Sequence, residues 1–196
     1  MSFFDALFGH QKPVPAGPER IFGMSTAMLP MQAELNLQPS GIAAMCFRDI
    51  GSGPFAQMQK DLDRLLALSA KDADDPVTYK TERDDLGFTW LIFRAKDMQS
   101  VITVLHMVST TFLEQGYGSQ LLFGVFPFTG DDGRHVYWMY NYKHGTFYPF
   151  VPQTDTHDRL RRRNNAEELR LATAMKKELQ VEDKVESWYP VWDMPL

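Results

Sequence analysis

Cysteine is almost absent from this 196-residue chain, in which Cys46 is the one thiol. A single cysteine cannot form an internal disulfide, and it cannot contribute to a zinc site built from several thiolates. Its apolar surroundings, residues 42–48, predict an inert thiol buried in a strand. The chain also shows no pattern typical of a secretory signal peptide, which together with the cysteine count favours a cytoplasmic location.

Long hydrophobic runs and excess positive charge are lacking as well. The longest apolar runs, such as residues 121–128, fall short of the roughly 20 residues that a membrane-spanning helix needs. The net charge of −5 gives no general attraction to nucleic-acid phosphates. The histidines show none of the spacings typical of metal ligands; they stand at positions 10, 106, 135, 144 and 157. We therefore expect no nucleic-acid partner, no metal and no cofactor.

Apolar and aromatic residues are plentiful, at 44% and 13% of the chain, and predict a folded core rather than disorder. Period-2 runs predict strands at 42–48, 77–83, 88–95, 120–128 and 135–143. A further strand at 146–151 would lie at an edge or end at Pro149, which cannot donate to a ladder. Helical spacing predicts helices at 53–70, from about 101 to Gly116, and at 166–180. The fold class that follows is α+β: a single antiparallel sheet of about five to six strands with helices packed on one face.

Two helix boundaries rest on local signals. The methionine-rich residues 19–37 look helical but contain Pro30, which predicts a break. Asn165 followed three residues later by Glu168 resembles a capping box opening the last helix.

The chain divides, by composition, into residues 1–18 and residues 19–196. The first part predicts a short amphipathic helix ended by Gly9 and followed by a proline-rich linker. Its phenylalanines could cover the domain's own core, the favoured interpretation, or make a peripheral contact with a membrane. The second part predicts one α+β domain, whose aromatic tail at 188–192 is too apolar to remain in water and should pack back on it.

Two features suggest partner binding. One is the aromatic segment that holds Phe147, Tyr148 and Phe150, and the other is the arginine run Arg161, Arg162 and Arg163. Aromatic and arginine side chains are the types enriched at binding hot spots. The competing interpretations are that the aromatics pack internally and that the arginines pair with the chain's own acids.

An alternative class of function is a binding domain for a small molecule or lipid headgroup, or an uncharacterised enzyme. Its pocket would be lined by four aromatics, Trp90, Trp138, Tyr140 and Tyr148. Closure of that pocket by His106, Arg48 and an acid would favour this alternative. The adjacent acids Asp84 and Asp85 are interpreted as turn residues rather than as a catalytic pair.

Five segments taken in order resemble the PspAB family, the small proteins associated with phage shock protein A (PspA). They are FFDALFG at 3–9, AMCFR at 44–48, YKHGTFYPF at 142–150, RRRNN at 161–165 and WYPVW at 188–192. The resemblance implies a cytoplasmic, non-enzymatic accessory protein of an envelope-stress response. It also implies association with PspA and with a membrane zinc metalloprotease of the HtpX type. The paired-histidine helix motif of such a protease is not present in this sequence.

Overall fold

The structure, a computed structural model, describes residues 18–69, 76–153 and 161–196. The amphipathic helix predicted for the N-terminus lies outside the described residues, so its role and the domain boundary at residue 18 stay predictions.

The described residues form four α-helices and nine strands. A 3₁₀ turn at Pro18–Phe22 leads into the first helix, and the helices are α1 (Gly23–Leu35), α2 (Ser52–Ser69), α3 (Met98–Glu114) and α4 (Asn165–Met175). Further 3₁₀ turns lie at Gly118–Gln120 and Val185–Ser187. The first five strands are β1 (Leu37–Pro39), β2 (Ile42–Phe47), β3 (Thr78–Arg83), β4 (Thr89–Arg94) and β5 (Leu121–Gly130). The others are β6 (His135–Asn141), β7 (Thr146–Phe150), β8 (Pro152–Gln153) and β9 (Arg162–Arg163).

Seven of the strands make one antiparallel sheet in the order β3-β4-β2-β5-β6-β7, with β1 paired to the end of β5. The predicted α+β class with a main antiparallel sheet is confirmed. Within this sheet the strand that was not predicted is β1, whose three residues contain a proline and lack a strand pattern of their own; β8 and β9 were not predicted either. The short pair β8 and β9 forms a separate two-stranded sheet.

The two faces of the sheet are covered in different ways. On one face, the ring of Phe47 lies 5.9 Å from that of Phe55 in α2 and 4.7 Å from that of Phe112 in α3. Successive strand residues point to opposite faces of a sheet. Followed across the strand pairs, the register places Tyr148 and Phe150 on the face opposite to that of Phe47. There they meet the C-terminal tail, through Trp188 and Trp192. Helices α2 and α3 therefore cover one face, and the tail covers part of the other.

Pro30 does not break α1, contrary to the sequence prediction. The helix runs on to Leu35 and ends at Asn36, whose left-handed φ of 53° lets its N–H bond the carbonyl of Met31. Its apolar residues at helical spacing, Met24, Ala27, Met31 and Leu35, are all buried. Packing of this face outweighs the one hydrogen bond that proline cannot make.

The last helix is capped one residue earlier than predicted and ends at Met175 instead of 180. Asn164 is the N-cap, and its side-chain oxygen accepts a hydrogen bond from the Glu167 N–H at 3.1 Å. Glu168 does not reach back to the cap, because its carboxylate points into the protein and binds elsewhere.

The aromatic tail packs on the domain, as predicted. Trp188 is 4% exposed and its indole N–H donates to the carbonyl of Glu182 at 3.0 Å. The Tyr148 hydroxyl donates to the carbonyl of Tyr189 at 3.0 Å, and the ring of Trp192 stands edge-on to Phe150 at 4.9 Å. The tail is thus attached to β7 by hydrogen bonds and by ring contacts.

Replacing Trp188 by alanine should destabilise the protein by about 3–5 kcal/mol, because it removes a buried indole and leaves a cavity. In a protein of this size we expect a fall in melting temperature on the order of 10 °C. Val185→Ala, at a neighbouring side chain that is 48% exposed, is the control and should change little. Equal melting curves for Trp188→Ala and the unaltered protein would show that the tail adds nothing to the fold.

Candidate functional site

The aromatic segment predicted to bind a partner is part of the core. Phe147, Tyr148 and Phe150 are each at most 1% exposed. Phe147 lies 4.9 Å from the ring of Tyr140, on the helix-covered face, whereas Tyr148 and Phe150 pack under the tail. The sequence pattern predicted a binding surface formed by these three side chains, and the structure places none of them at the surface. Of the two interpretations left open, it is internal packing that the geometry supports.

Arg163 is the centre of a buried polar cluster rather than a free cation. Its Nε donates to both carboxylate oxygens of Glu168, at 3.0 and 2.8 Å, and its Nη1 donates to the carbonyl of Trp188 at 2.6 Å. The guanidinium also lies 5.6 Å from the centre of the Phe150 ring. One arginine thereby connects α4, β7 and the tail.

Glu168, which the sequence predicted to complete a capping box with Asn165, belongs to this cluster instead. Its side chain is 2% exposed, and besides Arg163 it accepts the backbone N–H of Val151 at 2.8 Å. Burial raises the pKa of the Glu168 carboxyl above its ordinary value, and the hydrogen bonds from Arg163 and Val151 oppose that rise. The only sequence signal for this role was that Glu168 falls on the apolar side of the helix. Its position three residues after Asn165 fitted a capping box equally well.

The other two arginines are exposed. Arg161 pairs with Asp193 of the tail in an ion pair open to solvent on both sides. Arg162 lies in β9, opposite Gln153. The run predicted as one positive patch is therefore divided: Arg163 is structural, and Arg161 and Arg162 stand at the surface.

A cleft of about 650 Å³ opens between the tail and the sheet face that the tail covers. Its floor is apolar and comes from the sheet: Cys46, Trp90, Leu122 and Phe123. The tail supplies one wall through Pro190, Val191, Trp192 and Pro195. The hairpin between β3 and β4 borders it with Arg83, Asp84, Asp85, Leu86 and Phe88, and Arg161 and Asp193 stand at the mouth. The volume is that of pockets that hold small organic ligands.

The four-aromatic pocket proposed from the sequence does not form. Trp138 pairs with Phe126, and Tyr140 pairs with Gly124, so both point to the helix-covered face. Trp90 and Tyr148 point to the opposite face, where Trp90 lines the cleft and Tyr148 stacks on Trp188 at 6.4 Å. Arg48 and His106 are not among the side chains lining the cleft, and the ring of His106 lies 4.4 Å from that of Phe22.

The reactive groups near the cleft are held in structural roles. Burial, and secondarily the charge of Asp84, raises the pKa of the Cys46 thiol, so it stays protonated. The carboxylate of Asp84 accepts hydrogen bonds from the Leu86 and Phe88 N–H groups and from the Trp90 indole, at 3.0, 2.9 and 2.9 Å. Asp84 therefore fixes the hairpin turn, in line with the turn role expected for it.

The outer edge of β7 is closed by residues 180–182. Phe147 donates its N–H to Gln180, and Glu182 donates its N–H to Phe147, both at 2.8 Å. The Glu182 carboxylate accepts hydrogen bonds from Thr146 at 3.0 Å and His144 at 2.8 Å. Burial alone would raise the pKa of this carboxyl, but hydrogen bonds from the Lys184 N–H, His144 and Thr146 bring it below its ordinary value.

Within residues 18–69, 76–153 and 161–196, no three His, Cys, Asp or Glu side chains are grouped so that they could hold a metal ion. Over the same ranges, no helix is both long enough and apolar enough to cross a membrane.

These features define a class of protein: an α+β domain with an aromatic tail secured by a buried ion pair and with a solvent-facing cleft beneath that tail. The chain belongs to the PspAB family, described as PspA associated protein B, whose family model matches residues 1–196, the whole chain. The resemblance seen in the sequence is thus confirmed. No curated protein and no solved structure matches the chain.

Removing the Glu168 carboxylate should be strongly destabilising. Glu168→Ala leaves Arg163 without its carboxylate and Val151 without its acceptor, and breaking such a buried pair costs about 3–5 kcal/mol. Glu178→Ala, at an exposed position of the same segment, is the control. Urea unfolding monitored by circular dichroism measures both. A difference below about 0.5 kcal/mol between the two variants would contradict the structural role of the pair.

The stability that Glu182 supplies should disappear in acid. Because folding lowers the pKa of this carboxyl, its contribution is complete above the unfolded-state value of about 4.3 and is lost as the pH falls through that value and then through the folded one. Glu182→Gln should therefore be less stable than the unaltered protein at pH 7, and the difference should narrow below about pH 4. Urea unfolding at pH 7, 5, 4 and 3 tests this. A difference that does not change with pH would contradict it.

Proposed function

We propose that this protein is a non-enzymatic accessory protein that binds PspA. The family description, which covers the whole chain, is the observation that carries the proposal. The side chains considered for catalysis serve other purposes: Cys46 is buried and protonated, Asp84 holds a turn, and His106 packs on Phe22.

The contact surface in this proposal is the mouth of the cleft. Arg161 is exposed there, its neighbour Arg162 in β9 is also exposed, and Leu86 across the cleft is 66% exposed although it is apolar. Exposed arginine beside exposed apolar surface is the combination that protein interfaces favour. Tyr148 and Phe150 support this surface from below, since they hold the tail that forms its wall, whereas Phe147 packs on the opposite face of the sheet.

The wider setting proposed is an envelope-stress response that also includes a membrane protease of the HtpX type. It rests on the same family resemblance. In that setting the protein acts in the cytoplasm, at the inner face of the membrane, where an accessory protein could meet both partners.

A second candidate function is suggested by the cleft itself. A volume of about 650 Å³ with an apolar floor and charged groups at its mouth suits a small apolar molecule or a lipid headgroup with part of its chain. Trp90 and Trp192 both line the cleft, so a ligand that enters it should change their fluorescence.

Reversing the two exposed arginines should weaken binding to PspA without unfolding the protein. In Arg161→Glu/Arg162→Glu, attraction to an acidic contact becomes repulsion, so we expect the dissociation constant to rise by about ten-fold or more. Both side chains are exposed, so the melting temperature should change little. Calorimetric titration with purified PspA at low and high salt measures the effect, which should shrink as salt screens the charges.

The matched control is Arg64→Glu/Lys177→Glu, which makes the same change in net charge at two exposed positions away from the cleft. If both double variants lose affinity equally, net charge is responsible and the cleft mouth is not the contact. If neither loses affinity while the unaltered protein binds PspA, the two arginines do not take part in the PspA contact. No binding of the unaltered protein to PspA would overturn the proposed function itself.

A further inference from the structure

The strand β3 is the open end of the main sheet. Among the described strands it pairs with β4 alone, whereas the sheet's other end, β7, is bordered by residues 180–182. An unpaired edge presents free N–H and C=O groups to any strand that can align with it. The described part of the chain therefore has one open sheet edge on the main path, Thr78–Arg83.

The register of the β3–β4 hairpin decides which backbone groups face outward. Asp84 donates its N–H to Phe88 at 3.0 Å, and hydrogen-bonded pairs recur at every second residue of an antiparallel ladder. Thr78, Lys80 and Glu82 therefore bond to β4. The N–H and C=O groups of the alternate residues, Tyr79, Thr81 and Arg83, point away from the sheet.

The side chains of this edge alternate in a self-complementary way. Lys80 and Glu82 project from one face and form an ion pair at 3.3 Å. Tyr79 and Arg83 project from the other face. The Tyr79 ring is held in place by a 2.8 Å hydrogen bond to Asp63 and by contact with Phe93 at 6.1 Å.

Backbone and charge together select one pairing of this strand with a copy of itself. Two antiparallel copies can bond only if outward-facing residues meet, which allows registers centred on Lys80, Thr81 or Glu82. Centring on Lys80 or on Glu82 sets two like charges directly opposite each other, which is destabilising. Centring on Thr81 sets Lys80 opposite Glu82 of the other copy and Tyr79 opposite Arg83 of the other copy. The two-fold symmetry repeats each of these contacts, so each occurs twice.

We propose that β3 is a homodimerisation edge, at which a second copy of this chain pairs antiparallel about Thr81 and joins the two sheets. Three outward-facing pairs exchange about six backbone hydrogen bonds. Two Lys–Glu contacts and two contacts of an arginine with a tyrosine ring accompany them. The interface is isologous and the opposite edge is bordered, so the association closes at two copies.

A proline at position 81 tests the backbone part of the proposal. The Thr81 N–H faces outward, so Thr81→Pro removes donors at the dimer axis and leaves the ladder to β4 intact. The control is Thr81→Val, which loses the same 3.3 Å bond from Gln59 but keeps the N–H. We expect the unaltered chain and Thr81→Val to dimerise in sedimentation equilibrium between about 1 µM and 1 mM, the range of a weak interface. Thr81→Pro should stay monomeric with an unchanged circular dichroism spectrum.

Charge reversal tests the register. Lys80→Glu and Glu82→Lys each set like charges opposite one another. The dimer dissociation constant of each variant alone should therefore rise by about ten-fold or more. A mixture of the two variants should dimerise again, because residues 80 and 82 then carry opposite charges in both contacts that they make across the axis.

An unaltered chain that remains monomeric up to 1 mM would overturn the proposal. So would a dimer that persists in Thr81→Pro, since it would use another surface. Failure of the mixed variants to recover would overturn the Thr81-centred register. The proposed PspA contact adjoins this edge, since Arg83 also borders the cleft. PspA binding is measured by its own titration, so failure of the dimer and failure of the proposed function can be told apart.

Discussion

The ion pair between Arg163 and Glu168 is the interaction on which the packing of α4, β9 and the C-terminal tail against β7 depends. Its two side chains come from β9 and α4, and their remaining hydrogen bonds go to Val151 after β7 and to Trp188 in the tail. A carboxylate at this depth is costly unless its partners are complete. Because these partners lie on four segments, the segments must assemble together for the carboxylate to be satisfied.

The consequence of that assembly is the cleft. Once Trp188 is fixed, the rest of the tail crosses the sheet face opposite the helices, where Trp192 contacts Phe150. It leaves a space over Cys46, Trp90 and Phe123. The proposed contact surface and the stabilising ion pair thus lie close together. Arg163 holds the tail, Arg161, two residues before it, lines the space that the tail creates, and Arg162 between them is exposed.

The two edge strands of the sheet, β7 and β3, are protected from unwanted pairing in different ways. At β7, hydrogen bonds to residues 180–182 and the Glu182 carboxylate occupy the edge. At β3, protection comes from charged side chains, since an edge lysine deters pairing with an arbitrary strand. The same charges permit pairing with a strand that places a glutamate opposite that lysine. A single edge can therefore reject unrelated strands and accept its own copy.

Periodicity and composition are local properties of the chain, so they were enough to predict the α+β class, most of the helices and strands, the burial of Cys46 and the packing of the tail. Tertiary structure alone decided the rest. Pro30 stays within α1 because the buried face of this helix packs against residues distant in sequence. β1 is a strand because it pairs with β5. Trp138 and Trp90 fall on opposite faces because strand register, which no single segment encodes, sets which side chains meet. For the same reason, three consecutive arginines divide into one that is partly buried and two that are exposed. Burial depends on whether another segment brings a carboxylate, and only the folded chain brings Glu168 to Arg163.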